Sequence, residues 1–317
     1  MSQNAAVNEP PAAANDSPAH ANDPPARAKD PPAAVNDPNV TIGAADPAAR
    51  LPDVSSEVAV QVWAEGTITR KHDQVAEEMP VAFVFHGVPH VVMLATPADF
   101  EDFAVGFSLS EGLVASADEI RSVEVTRGET ATDVRISVSW ERFSALLQRR
   151  RNLTGRTGCG LCGAETAEEA IREIPSVGAG VQISVAQLHS AIEQLGPRQL
   201  INARTGSVHA AAWVVPDRGI QLVREDVGRH NALDKAIGAL VRSNTDLSAG
   251  FMLITSRASY EMVQKSATVG ISLLVAFSAP TAFAVRLAQR SGLTLIAFAR
   301  RNRHVVYAHP HRLRPDG

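Results

Sequence analysis

Cys159 and Cys162 are the only two cysteines among 317 residues, and they stand in the glycine-dense stretch GRTGCGLCGAETAEEA at 155–170. A Cys-x-x-Cys pair can close a disulfide, supply half of a zinc site, run thiol–disulfide exchange or carry sulfur. Structural zinc needs four ligands, so two more would have to come from distant residues such as His209 or His230. A zinc deaminase would also need Glu two residues after a His, and none of the ten histidines has one. A reducing compartment would keep a disulfide within the pair open most of the time. A helix is expected to begin near Ala164 or Thr166, which puts Cys162 near its positive end. Arg150, Arg151 and Arg156 add charge from the other side. Both effects favour thiolate, while Glu165, Glu168 and Glu169 partly oppose them. The pair therefore reads as nucleophilic or sulfur-bearing, and these residues alone do not choose between disulfide exchange and persulfide transfer.

Three further blocks could hold an anion. REDVGRHNALDK packs Asp226, Arg229, His230, Asn231, Asp234 and Lys235 into the start of a helix. Composition alone would make this a capped, solvated terminus with ion pairs, but a strand-to-helix junction is where open α/β sheets bind ligands. TSRASYEMVQK places Thr255, Ser256, Arg257 and Ser259 after a buried strand and before a helix. Hydroxyls, a guanidinium and free helix N–H groups suit a phosphate. FARRNRHVVYAHPHR carries Arg300, Arg301 and Arg303 directly after a strand, an arrangement suited to clamping a pyrophosphate. His209, in TGSVHAAAW, falls at a strand start; taken alone it is more often a structural histidine, but with Arg229, His230, Ser256 and Arg257 it is counted among the candidate cofactor-binding residues.

The elements that must position these residues form an α/β pattern. Residues 1–55 are rich in Ala, Pro, Asn and Asp and read as a disordered tail, with too little apolar surface to offset the entropy of ordering. Residues 56–150 read as an α+β domain with the strands EVAVQVW, MPVAFVFHG, HVVMLAT, VEVTR and DVRISVS. Its first helix is expected to open at Thr96-Pro97, with Asp99, Glu101 and Asp102 near its positive end. A second helix, ERFSALLQRRR, closes it. Residues 151–317 hold the Cys-x-x-Cys loop and, from about Gly180, a strand–helix alternation that predicts helices covering a buried sheet. A net charge of −4 and a pI near 6.2 give no general reason to expect nucleic acid. There is no signal-peptide pattern and no apolar run of membrane-spanning length, so the chain reads as soluble and cytoplasmic.

Taken together and in order, these blocks resemble the formate dehydrogenase accessory sulfurtransferase (FdhD/NarQ) family. The resemblance rests on TPADFEDFAVGFSLSEG, GRTGCGLCG, TGSVHAAAW, REDVGRHNALDKAIG, SRASYEMVQKSATVG, SAPTAFAVRLAQRSGLTLIAF and VYAHPHRL. One departure is His86-Gly87, where many relatives have Asn-Gly at a turn. The resemblance implies a cytidine-deaminase-like three-layer fold for the C-terminal domain, without zinc chemistry or a metal of its own. It further implies a sulfurtransferase that accepts sulfur as a cysteine persulfide from a cysteine desulfurase. The sulfur would pass to the molybdenum cofactor, in its bis-guanine-dinucleotide form, before insertion into formate dehydrogenase. Carried over by position, the resemblance implies that Cys159 bears the persulfide, that Cys162 assists or exchanges sulfur, and that Phe298, Ala299, Arg300, Arg301, Asn302 and Arg303 match the segment that contacts the cofactor. A homodimer is implied as well. The rival reading is a chaperone that binds the cofactor without chemistry on sulfur.

Overall fold

In the computed structural model, residues 54–151 and 174–316 are described. Two hairpins come first among the described residues. Strands β1 (Ser55–Ala64) and β2 (Thr67–Ala76) pair antiparallel in a ribbon of their own, and β3 (Met79–Phe85) and β4 (Val88–Ala95) form the second. The turn between β3 and β4 has positive φ at both His86 (47°) and Gly87 (80°), the backbone that a tight primed hairpin turn demands. Histidine thus takes the left-handed position that Asn-Gly sequences favour, and its ring packs on Phe143 with centroids 4.6 Å apart. Helix α1 (Phe100–Ser110) follows, then β5 (Ile120–Arg127), β6 (Thr132–Val138) and α2 (Trp140–Arg151). Strands order β4-β3-β6-β5, and α1 seals one face of this sheet through Phe100, Phe103 and Phe107 against Phe83, Val134 and Ile136.

After β7 (Ile183–Ser184), α3 (Val185–Leu195) and α4 (Leu200–Thr205) comes a second, larger sheet. It is built from β8 (His209–Val215), β9 (Gly219–Asp226), β10 (Phe251–Ile254), β11 (Leu273–Ala276), β12 (Thr294–Arg300) and β13 (Arg303–Ala308). Between them run α5 (Arg229–Arg242), α6 (Tyr260–Thr268) and α7 (Ala282–Ser291), and β14 (Leu313–Arg314) returns to pair with β7. The order is β13-β12-β11-β10-β8-β9, with β10, β11 and β12 parallel. Those central strands read as unbroken apolar runs because both faces are covered. Met252, Ile254, Leu274 and Leu295 meet α5, α6 and α7, whereas Phe251, Leu253, Val275 and Ile296 meet α3. The expected three-layer α/β arrangement is present.

Helices α1 and α5 cross where each presents a glycine. A Cβ on Gly106 would lie 1.7 Å from the Asp234 carbonyl oxygen, and one on Gly238 would lie 1.8 Å from that of Asp102. Buried ion pairs surround the crossing. Lys235 contacts Asp226 at 2.6 Å with both side chains fully buried, and Lys265 contacts Asp234 and Glu111, each at 2.8 Å. Burial pushes the Asp234 carboxyl up, against the pull of Lys265. Asp102 accepts from Arg224 (2.8 and 3.0 Å) and from Arg242. Such pairs cost much if one partner is lost, since the survivor is a buried, uncompensated charge.

One boundary differs from the sequence expectation. α1 begins at Phe100, three residues after Pro97, because residues 96–99 are held elsewhere. Thr96 donates its N–H to Asp226 (3.0 Å), its Oγ1 accepts from Val227 N–H, and its carbonyl accepts from Lys235. Asp99 then turns through a left-handed conformation, φ 56°, to start the helix.

Candidate functional site

The site expected from sequence divides into a cysteine segment and a set of cationic segments. Cys159 and Cys162, with the helix expected after them, lie outside the described residues. The cationic segments fall on one rim of the large sheet, at the C-terminal ends of its parallel strands, where open α/β sheets take ligands. Backbone hydrogen bonds stitch that rim together. Thr255 N–H donates to the Ala210 carbonyl (3.1 Å), Phe277 N–H to Ile254 (2.9 Å), Ser278 N–H to Ser256 (3.4 Å) and Phe298 N–H to Ser278 (3.2 Å). His209, the Ser256–Arg257 step and Phe298 therefore belong to one continuous edge.

The first half of the rim is the junction of β8, α5 and α6. Its turn is fixed from below: the Asp226 carboxylate accepts from Gly228 N–H (2.8 Å), from the Asn231 amide (2.9 Å) and from Thr96, while Lys235 neutralises it. Asp226, Asn231, Asp234 and Lys235 are thus buried structural residues, while Arg229 and His230 are only partly exposed, so the solvated terminus that composition suggested is not seen. Among the described residues, Arg229 Nε and His230 Nε2 are buried with no hydrogen-bond partner. His230 Nε2 lies 3.8 Å from Glu261 Oε2, an ion-pair distance too long for a hydrogen bond. His230 holds the Glu261 carboxyl down to about 2, against the opposing effect of burial and with help from Ser259. Glu261 is a residue that motif reading passed over. It stands inside the TSRASYEMVQK block, in the first turn of α6, where hydroxyls and Arg257 drew the attention. His209 is half-buried, and burial, then Arg229 and His230, push its imidazole below the usual histidine range.

Arg257 is exposed, whereas Ser256 is buried and its hydroxyl donates to the Arg257 carbonyl at 3.1 Å. That hydroxyl shapes the loop rather than offering itself to a phosphate.

The second half of the rim is the β12–β13 hairpin. Arg300 ends β12 and Arg303 opens β13, opposite each other across the turn Arg301-Asn302. The arginines therefore form a hairpin end instead of following the strand as expected. Phe298 has φ 50° in a register break of β12; it is 41% exposed and lines a hollow, while Ala297 stays in the core. The hollow holds about 600 Å³ and is also lined by Pro280, Thr281, Arg286 and Tyr307. Ala299 is buried on the α3 face. Arg300 donates to the Ala299 carbonyl (2.9 Å) and to that of Phe277, with its guanidinium 5.8 Å above the Phe277 ring. Arg301 pairs with Glu193 of α3 at 2.6 Å, and Asn302 and Arg303 are exposed.

Chemically, the rim offers cationic and N–H donors for an anion and an aromatic face beside an open hollow. These are the features with which a nucleotide's phosphates and base can be held. Among the described residues, no group of three or more His, Cys, Asp or Glu side chains is placed to hold a metal ion, and no helix is long and apolar enough to cross a membrane.

Comparison with known proteins gives concordant results. A family model described as the FdhD/NarQ family matches residues 76–314. A sulfur carrier protein FdhD from Cupriavidus necator is 50% identical over 265 residues, covering 84% of this chain and 92% of the relative. One from Xanthomonas euvesicatoria pv. vesicatoria is 56% identical over 241 residues, covering 76% and 86%. Among solved structures, a chain from Desulfotalea psychrophila described as a formate dehydrogenase accessory protein superposes with a TM-score of 0.64 at 24% identity. It covers 82% of this chain and is itself covered completely, a likeness of fold.

Proposed function

Because the chain belongs to the FdhD/NarQ family, we propose that it is a sulfur carrier in formate dehydrogenase maturation. In this reading it accepts sulfur as a persulfide on Cys159 from a cysteine desulfurase. It then delivers that sulfur to the molybdenum cofactor, in its bis-guanine-dinucleotide form, held as cargo on the rim. The observation that supports it most is the Cys-x-x-Cys segment in a chain 50–56% identical to proteins named sulfur carriers.

The chemistry closes without an outside oxidant. The Cys159 thiolate attacks the outer sulfur of the donor's persulfide, the donor's thiolate leaves, and Cys159 carries the S–SH group. Attack by the Cys162 thiolate on the inner sulfur then expels hydrosulfide and forms a Cys159–Cys162 disulfide. The transferred sulfur is reduced, the two thiols are oxidised, and a cellular dithiol resets the pair. The rim contributes binding. Arg229, His230 and Arg257 on one side and Arg300, Arg301 and Arg303 on the other are suited to the pyrophosphates. Phe298 and the hollow beside it are suited to a base.

Intact-mass measurement after incubation with a desulfurase and cysteine tests the carrier step. A gain of one sulfur atom that cyanide removes is expected for the native chain and not for Cys159→Ala. Formate dehydrogenase that matures fully with Cys159→Ala would leave the rim as a cofactor-binding chaperone and end the persulfide reading.

A further inference from the structure

The hairpin that ends in Arg300, Arg301, Asn302 and Arg303 does not stand alone. Helix α3 lies across the back of the large sheet with Leu188, Ala191, Ile192 and Leu195 buried, the i, i+3, i+4, i+7 stripe of a docked helix. Its position is fixed at both ends. Ser184 and Gln187 form a reciprocal capping box, with Gln187 N–H to Ser184 Oγ at 3.1 Å and Ser184 N–H to Gln187 Oε1 at 2.8 Å. The Gln187 amide also donates to Asp217 (2.7 Å), and Ile220 N–H donates to Gln194 Oε1 (3.3 Å). From the border of this stripe, one turn apart, project His189 and Glu193. His189 Nε2 lies 3.1 Å from His304 Nδ1 on β13, so one ring donates and the other accepts. Glu193 Oε1 lies 2.6 Å from Arg301 Nε at the hairpin turn.

We infer that α3 is a brace for the hairpin, with His189 and Glu193 acting as positioning residues that set residues 298–303 for the ligand through His304 and Arg301. The two contacts differ in what they contribute. The Glu193–Arg301 pair is exposed and taken singly would be weak, since solvent screens it and ordering two long side chains offsets it. The histidine pair is more buried and joins two short side chains, so it is the firmer strut. Together they hold the two-residue turn at the far end of a sheet whose last strand, among the described residues, pairs on one side only. The inference rests on the reading above that this hairpin contacts the guanine dinucleotide.

Two measurements on one set of variants separate the two ideas. The first is amide hydrogen exchange of peptides covering residues 298–304, and the second is the affinity for guanosine diphosphate, a fragment of the cargo. His189→Ala and Glu193→Ala are expected to speed hairpin exchange and to weaken the nucleotide about threefold to tenfold, the scale of one lost hydrogen bond. His189→Gln, which keeps an amide N–H able to reach His304 Nδ1, is expected to restore both. Unchanged hairpin exchange in His189→Ala would remove the brace. Faster exchange with unchanged affinity would show that the brace does not position the site. If the native chain itself does not bind the nucleotide while exchange responds as expected, the ligand reading of the hairpin fails, and the positioning role fails with it.

Discussion

At the scale of single residues, the rim divides its histidines by environment. His209 sits among cations, and burial acts with Arg229 and His230 to lower its pKa. The sign of the consequence is fixed. A histidine whose folded pKa lies below its unfolded one binds more protons when unfolded, so stability rises with pH through the window between the two values. The protein is therefore expected to lose stability as pH falls below the ordinary histidine value near 6.5, and His304, lowered by burial and by His189, acts in the same direction. Melting temperatures of the native chain and of His209→Asn from pH 7.5 to pH 5 check this. The variant should show a shallower fall, and parallel curves would mean that His209 takes no part. Glu261 behaves oppositely, since His230 keeps it ionised down to about 2, so its charge is constant across that window.

At the scale of elements, the molecule depends on how closely α1 and α5 approach. The Gly106–Gly238 crossing lets two backbones meet with no side chain between them, and three buried acidic groups are neutralised around it. The Asp226–Lys235 pair links this crossing to the rim, because the same carboxylate that receives Lys235 also shapes the turn into Arg229 and His230. Gly238→Ala would place a methyl group 1.8 Å from the Asp102 carbonyl oxygen and 2.8 Å from Gly106 N, atoms of backbone that cannot rotate away. The helices must then separate and the ion pairs lengthen. The expected cost is about 1–3 kcal/mol, the usual range for overpacking in a close-packed core. Urea unfolding would measure it. Gly66→Ala in the β1–β2 turn is the fair comparison for a glycine with open space, since its cost comes from a φ of 77° alone.

At the scale of the whole molecule, what could be read from sequence follows from how each part is buried. The central strands and the helices between them were legible because Met252, Leu274 and their neighbours are covered on both faces and write unbroken apolar runs. Strand β2 was not, since TITRKHDQVA is almost wholly exposed and carries no apolar alternation. Nor was the start of α1, because the contacts that hold Thr96 come from Asp226, Val227 and Lys235, more than a hundred residues away. The stripe on α3 was available to pattern reading, but nothing in one chain's spacing says that His189 and Glu193 reach across to His304 and Arg301. The same distance in sequence separates the cations of the rim, and they come together only after folding. In a protein of net charge −4, an edge that gathers Arg229, His230, Arg257, Arg300 and Arg303 would hold the proposed anionic cargo through a local field opposed by the rest of the molecule. Salt should weaken that field steeply, because the Debye length contracts from about 10 Å at 0.1 M to about 3 Å at 1 M. Affinity for guanosine diphosphate is accordingly expected to fall several-fold between those ionic strengths. In Arg303→Ala the affinity at low salt should be lower and its salt dependence shallower, since an exposed cation contributes mainly through the screened field. An affinity that ignores salt in both proteins would mean that the base and the hollow beside Phe298, rather than the arginines, hold the nucleotide.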